Sequence, residues 1–149
     1  MEEARERILS YFEVLPIEDA ALVESMGQVL AEDIVASFDI PPLANSAMDG
    51  YAVFASDTDG ASKDTPVELS VTGVVAAGQL PDRPLETGTA IRIMTGAPIP
   101  EKANAVVPFE DTDELERRES GGSPKAIAIH LQAEQYDNIR GAGEDVKAG

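Results

Sequence analysis

The sequence predicts a mainly β protein with N-terminal helices, made of a small barrel-like or coiled β-sheet domain and an elongated helix and strand segment. Helical spacing of apolar residues is confined to the stretch before Gly27. Five short apolar runs follow with turn residues between them, which is typical of a small sheet that curls on itself. These runs are Tyr51 to Phe54, Val67 to Gly73, Ala90 to Met94, Ala105 to Val107 and Lys125 to Leu131.

The residues before Pro41 predict two helices and one further element. Apolar residues recur at helical spacing from Glu2 to Val14, and Pro16 ends that helix. Ile17 to Met26 predicts a second helix, which Gly27 closes. Residues 28 to 37 fit either a strand or another helical turn.

Composition narrows the class of protein. The chain has 149 residues, of which 43% are hydrophobic, and this is enough to bury a core. It has no cysteine, which excludes disulfides and thiolate metal sites. We find no leader pattern and no apolar run long enough to cross a membrane, so we expect a cytoplasmic protein.

The net charge is −17, from 28 acidic and 11 basic residues. Nucleic acids and anionic membranes need a basic binding surface, so the charge argues against both as partners. The carboxylates are spread along the chain, and we interpret most of them as solubilising surface charge.

Details of the β region predict where bends and exposed faces lie. Gly73 suits a bend or bulge in its strand. Arg92 alternates with Ile91 and Ile93, so we expect it on an exposed face, although its closeness to Thr95 leaves open a role against an anion. Residues 111 to 124 are charged and end in Gly-Gly-Ser-Pro, which predicts an exposed hairpin tip or mobile loop without chemistry.

The stretch from Pro41 to Val53 joins the two regions. Two prolines fix an extended lead-in, and Asp49-Gly50 then has turn chemistry directly before the strand at Tyr51. A carboxylate in that position forms the turn or binds a ligand. The pattern alone favours the turn.

Two further turns have residues suited to binding. The segment from Thr95 to Pro98 follows a strand and offers a hydroxyl and consecutive N–H groups, which suit the binding of an oxyanion. The alternative is a plain turn with no ligand. Gly141 to Asp145 is either a glycine connector or a loop that presents a carboxylate. No Lys-Ser or Lys-Thr pair follows it, so the sequence does not support a phosphate loop.

Three segments carry a family resemblance. Asn45-Ser46-Ala47-Met48-Asp49-Gly50-Tyr51-Ala52 closely resembles the signature of the molybdopterin molybdotransferase family, which comprises MoeA and the matching domain of gephyrin. Ile93 to Pro100 and Arg140 to Val146 resemble further segments of the same family in the same order. The resemblance covers nearly the whole chain but only the N-terminal part of the family.

The resemblance implies a domain organisation. It favours the strand over residues 28 to 37. The two prolines and the glycine loop at 141–143 predict a division into a dimerising segment at 1–42, a β-rich domain at 43–140 and a return linker at 141–149. The linker would lead to a C-terminal molybdopterin-binding domain. We also expect the chain before Pro41 to pair with the chain after Arg140.

The resemblance implies an activity as well: insertion of molybdenum from molybdate into adenylylated molybdopterin, with release of AMP and with the aid of Mg2+. It implies catalytic roles for Asp49, Thr95 and Asp145, cofactor binding by Ser46 and Gly96, and metal binding by Asp49 and Asp145. This chain alone is expected to be inactive. Tungstate has the charge and nearly the size of molybdate, so the sequence does not separate the two.

The expected partners are a second copy of the chain, its own C-terminal molybdopterin-binding domain and other proteins of molybdenum cofactor biosynthesis. In the dimer, the β-rich domain of one protomer would reach the pterin cleft of the other. A second copy would also cover the apolar residues of the first segment, namely Ile8, Phe12, Val29, Leu30 and Ile34. The alternative function is a non-catalytic dimerisation or scaffolding module of a gephyrin-like protein.

Overall fold

The apolar runs predicted as strands form one sheet. The computed structural model describes residues 1–119, 121 and 125–149. The strands are β1 (Asn45–Ser46), β2 (Gly50–Val53), β3 (Val67–Val75), β4 (Thr89–Ile93), β5 (Ala105–Pro108), β6 (Ala126–Ile129) and β7 (Ile139–Arg140). Within the described residues, a five-stranded sheet has the order β5-β2-β4-β3-β6, and β1 pairs with β7. The prediction of a mainly β fold with a curled sheet is confirmed.

The central strands are buried on both faces. Tyr51 and Val53 of β2 face one apolar cluster, whereas Ala52 between them faces another. β2 pairs with β4 on one side and β5 on the other, antiparallel in both cases. A strand covered on both faces needs no polar alternation, which explains why this run reads as continuously apolar.

Gly73 lies where β3 bends. The parallel pairing of β3 with β4 shifts register between Val71 and Gly73. The predicted bend or bulge at Gly73 is therefore confirmed. Such a shift increases local twist, as a curled sheet requires.

The region from 111 to 124 is more ordered than predicted. Glu114–Glu119 forms a helix, α2, and Glu114 at its start is only 1% exposed. The prediction of an exposed hairpin tip or mobile loop is wrong for these residues, because they form a helix and Glu114 at its start is buried against a cationic partner. Residues 120 and 122 to 124 of the predicted loop lie outside the described part of the chain.

The first 35 residues form a unit of their own, Met1–Val35, apart from Ala36–Gly149. Its helix, α1, covers only Glu2–Leu9 and buries no side chain. The predicted helix at 17 to 26 is reduced to a short 3-10 turn at Leu22–Glu24, and no strand forms at 28 to 37 among the described residues. Short amphipathic helices are marginal without packing, and a strand needs a paired neighbour, so these predictions fail for lack of a covering surface.

The predicted pairing across Pro41 and Arg140 is confirmed. Ile40 forms an antiparallel bridge with Val146, with hydrogen bonds of 2.8 and 3.1 Å between their main chains. The N–H of Gly143 also donates to the carbonyl of Pro41 at 2.8 Å. The finer division into 1–42, 43–140 and 141–149 stays a prediction. None of the helices among the described residues is long and apolar enough to cross a membrane.

Candidate functional site

Ser46 holds the turn that precedes β2. Its side chain is buried, and its hydroxyl donates to the carbonyl of Met48 at 2.6 Å. Its main chain meets the turn after β4, because its N–H donates to the carbonyl of Ala97 at 3.0 Å and its carbonyl accepts the N–H of Gly96 at 2.8 Å. Ser46 and Gly96 are thus brought together by main-chain bonds, and the Ser46 hydroxyl is used inside its own turn.

Asp49 and Thr95 meet between the start of β2 and the end of β4. Oδ1 of Asp49 accepts two hydrogen bonds from Thr95, from its N–H at 2.7 Å and from its hydroxyl at 2.8 Å. The carbonyl of Asp49 accepts the N–H of Phe109 at 3.1 Å. The structure therefore joins two of the predicted catalytic residues, which are 46 positions apart in the sequence.

The turn at Thr95 does not offer its N–H groups to an oxyanion. Three successive N–H groups are used within the chain: that of Thr95 by Asp49, that of Gly96 by Ser46, and that of Ala97 by the carbonyl of Met94. The oxyanion interpretation of these groups is wrong, because long-range contacts take the N–H groups of Thr95 and Gly96, and a local turn bond takes that of Ala97.

Asp49 is an ionised carboxylate with one oxygen held in place. The hydrogen bonds from Thr95, the backbone one first, and the charge of Arg92 hold the pKa of Asp49 below its ordinary value of 3.8, against the opposing effect of burial. Its other oxygen, Oδ2, has no hydrogen-bond partner among the residues that the structure describes. At neutral pH, this oxygen is ionised and available to accept a hydrogen bond.

Asp145 lies in a separate arrangement around Arg140. Nη2 of Arg140 contacts both carboxylate oxygens of Asp145, at 2.6 and 2.7 Å. Glu144 accepts the N–H of Gly141 at 2.8 Å, so the glycine loop presents two carboxylates to one guanidinium. The sequence analysis predicted no site role for Arg140, although Arg140 lies only five residues before Asp145 and could have been expected to pair with it.

A buried ion pair lies beside the Asp49 turn. Arg92 is only 7% exposed, and its Nε lies 2.9 Å from Oε2 of Glu114, although neither atom has the geometry of a hydrogen bond. Arg118 contacts the other oxygen of Glu114. The expectation that Arg92 lies on an exposed face is wrong, because its face of β4 is covered by the aromatic rings of Tyr51 and Phe109 and by Glu114.

The carboxylates do not assemble a metal site by themselves. The described residues contain no group of three or more His, Cys, Asp or Glu side chains that could hold a metal ion. The carboxylate of Asp145 is bound by Arg140, and the Oδ1 of Asp49 is bound by Thr95. A hard cation such as Mg2+ needs several free oxygen ligands, so these residues alone do not fit it.

Comparison with known protein families identifies the family of this chain. The model of the MoeA N-terminal region, domains I and II, matches residues 1–149. The chain belongs to the MoeA family. The resemblance carried by the three sequence segments is thereby confirmed.

Curated relatives of this MoeA chain are named as transferases. It is 46% identical over 128 residues to molybdopterin molybdenumtransferase 2 of Mycobacterium tuberculosis, covering 86% of the chain and 30% of the relative. It is 38% identical over all 149 residues to the molybdopterin molybdenumtransferase of Staphylococcus epidermidis, covering 34% of that protein. The chain thus spans about a third of the length of these relatives.

A solved MoeA structure has the same fold. The crystal structure of the molybdopterin biosynthesis MoeA protein from Pyrococcus horikoshii OT3 matches with a TM-score of 0.83 and 38% identity. The match covers 99% of this chain and 37% of that one. The family therefore accounts for the fold of the whole chain, whereas the roles predicted for Asp49, Thr95, Asp145, Ser46 and Gly96 stay predictions.

Proposed function

We propose that this MoeA chain supplies the Asp49–Thr95 pair to the active site of a molybdopterin molybdotransferase. The reaction inserts molybdenum from molybdate into adenylylated molybdopterin and releases AMP. The names of the curated relatives support the substrate class. The observation that carries the proposal is the pairing of Asp49 with Thr95, which leaves one ionised carboxylate oxygen without a partner among the described residues.

The proposed role of Asp49 follows from this geometry. Thr95 fixes Oδ1 through two hydrogen bonds and so fixes the plane of the carboxylate. Oδ2 can then accept a hydrogen bond from a reactant and orient it without a conformational search. Thr95 acts through Asp49 in this proposal, since its N–H and hydroxyl are both occupied by the carboxylate.

The substrate anions need a positive surface that this chain does not provide. Its net charge is −17, and adenylylated molybdopterin and molybdate are both negatively charged. Arg92 and Arg140 are each paired with carboxylates. We therefore propose that the molybdopterin-binding domain implied by the resemblance provides most of the anion binding, and that the present chain completes the site.

Mg2+ is not assigned to this chain. Among the described residues, Asp49 and Asp145 do not form a donor set that fits a divalent ion, so the proposed role of Asp49 involves no metal on these residues. The roles of Mg2+, the choice between molybdate and tungstate, the cytoplasmic location and the contacts with other biosynthetic proteins stay predictions of the resemblance.

The proposed function is tested by completing the enzyme. We join the chain to the remaining length of the Staphylococcus epidermidis relative and measure AMP release from adenylylated molybdopterin with and without molybdate. Molybdate-dependent AMP release by the chimera is the expected result, and the chain alone or the added piece alone should release none. A folded but inactive chimera, beside an active intact relative, would contradict the proposal and favour the non-catalytic scaffolding alternative.

We further propose that the chain dimerises through its first unit. The apolar residues Ile8, Phe12, Val29, Leu30 and Ile34 are between 59% and 93% exposed. Side chains at positions 4, 7, 8, 11 and 12 also line an open hollow along α1. Burial of a Leu- or Phe-sized side chain stabilises by about 1.5 to 3 kcal/mol, so covering this set with a second copy is strongly favourable.

The dimer is checked by sedimentation at low micromolar concentration. We expect a dimer for the natural chain and a monomer for the Ile8→Asp, Phe12→Asp double variant. The matched control is Leu80→Asp, which changes another exposed apolar side chain, 74% exposed, in the other unit. A natural chain that sediments only as a monomer, or a control that dissociates as readily as the double variant, would contradict this proposal.

A further inference from the structure

The guanidinium of Arg92 bridges the two strands next to Asp49 and Thr95. Its Nη1 donates to the carbonyl of Gly50 at 3.1 Å and to the carbonyl of Ile93 at 2.7 Å. Gly50 and Ile93 are opposite each other in the pairing of β2 with β4. This is the last residue pair of β2 and β4 before the contact of Asp49 with Thr95, because Asp49 directly precedes Gly50 and Thr95 lies two residues after Ile93.

The surroundings of Arg92 leave its side chain little freedom. The centre of the guanidinium lies 5.4 Å from the ring of Tyr51 and 5.7 Å from the ring of Phe109. Glu114 holds the Nε side, and Glu114 itself is buried at the start of α2. A cation enclosed by two aromatic faces and a buried carboxylate is kept in one position.

The helix that carries Glu114 is itself fixed to the sheet. The hydroxyl of Thr112 accepts the N–H of Glu114 at 3.2 Å. Asp113 accepts the N–H of Ala128 in β6 at 2.9 Å and also pairs with Arg117. A continuous series of contacts therefore runs from β6 through α2 and Arg92 to the turn that presents Asp49.

We propose that Arg92, held by Glu114, is a positioning residue for Asp49: by tying the carbonyl of Gly50 to that of Ile93, it fixes the gap across which Asp49 accepts both hydrogen bonds of Thr95. The charge of Arg92 also favours the ionised carboxylate of Asp49. A buried pair with only a packing role would need no donor on these two carbonyls. The kinetic consequence rests on the proposed function, whereas the structural consequence does not.

The structural consequence is tested in the 149-residue chain by amide hydrogen exchange of Thr95, whose N–H donates to Asp49. We compare Arg92→Met with Arg117→Met, which also removes an arginine that anchors α2, but one whose hydrogen bonds go to Asp113 and Glu68 and not to the carbonyls of Gly50 and Ile93. Exchange at Thr95 should become about tenfold faster in Arg92→Met than in the control, after scaling to the core amide of Val106. Equal scaled rates in the two variants would overturn the proposal, since a merely structural pair would change all amides together.

If Arg92→Met does not fold, the same exchange measurement is made on Arg92→Lys. Lysine keeps the charge but lacks the planar guanidinium that reaches both carbonyls and Glu114. Faster scaled exchange at Thr95 in Arg92→Lys than in Arg117→Lys supports the proposal, and equal exchange overturns it. In the active chimera, Arg92→Lys should lower kcat about tenfold and leave KM within about twofold, because the carboxylate is displaced rather than removed.

Hydrogen exchange tests the positioning role of Arg92, and activity of the chimera tests the proposed function, so either can fail without the other. An inactive natural chimera with faster exchange at Thr95 in the Arg92 variants would reject the proposed function and support the positioning role. An active chimera with unchanged exchange and unchanged kcat in Arg92→Lys would support the proposed function and reject the positioning role.

Discussion

Replacing Asp49 by asparagine should abolish molybdate-dependent AMP release by the chimera while leaving the fold nearly intact. Asparagine keeps an oxygen that can accept both hydrogen bonds of Thr95, so the turn retains its geometry. The negative charge on the free oxygen is lost, so a reactant is held less well, and we expect kcat to fall by about a hundredfold or more. The loss of charge-assisted bonding should cost about 1 kcal/mol in the free energy of unfolding.

The matched control is Asp57→Asn. Asp57 is also half-buried and also accepts a main-chain N–H, that of Gly88 at 2.7 Å, but it has no predicted catalytic role. Its variant should lose a similar amount of stability and keep its activity within about twofold. If Asp49→Asn proves grossly unstable in thermal unfolding, or if the two variants are equally active, Asp49 is a turn former and the catalytic assignment fails.

Replacing Gly50 by alanine should prevent stable folding. A Cβ at this position would lie 2.1 Å from the carbonyl oxygen of Val107 and 2.9 Å from its carbon, and both atoms belong to the backbone of the neighbouring strand. β2 pairs with β5 through Gly50 and Pro108, so the two strands would have to separate. We expect a loss of about 4 kcal/mol or more, which is a large part of the stability of a domain of this size.

Gly73→Ala is the matched control for this effect. Gly73 also lies in a strand, but its nearest neighbour to an added Cβ is the Cγ2 of Ile91 at 4.0 Å, which is ordinary contact. Its variant should change the free energy of unfolding by less than about 1 kcal/mol in a urea titration. A Gly50→Ala chain that unfolds at the same urea concentration as Gly73→Ala would show that β2 and β5 can move apart at little cost.

Gly50 also shows how a sequence pattern can have two causes. The Asp49-Gly50 dipeptide reads as turn chemistry, which assigns the glycine to backbone flexibility. In the structure, Gly50 is needed because another strand passes within contact distance. The pattern identified the residue, and only the neighbouring strand supplied the reason.

Local alternation and turn residues were enough to predict the five strands of the sheet and the bulge at Gly73. These features depend on neighbours along the chain, since side chains alternate between faces and glycine permits the bend wherever the strand is placed. The family resemblance implied that Asp49 and Thr95 belong to one site, but their direct contact was not predicted. No spacing rule connects two turns that are 46 residues apart.

The first unit marks the limit of local patterns. Residues 17 to 26 and 28 to 37 have apolar spacing suited to a helix and to a strand, yet they form neither, apart from the turn at Leu22–Glu24. An amphipathic pattern states which face would be buried, but it does not provide the surface that buries it. Val29 and Leu30 remain 93% and 70% exposed for this reason.

What the sequence determined by itself was therefore the five strands of the larger sheet, the two turns and the family. The tertiary structure alone decided that Arg92 is buried against Glu114, and that the N–H groups of Thr95 and Gly96 are taken by Asp49 and Ser46. Each of these depends on which groups face one another across the fold. The energy of a charge or a hydrogen-bond donor is set by its partners in space, which a linear pattern does not contain.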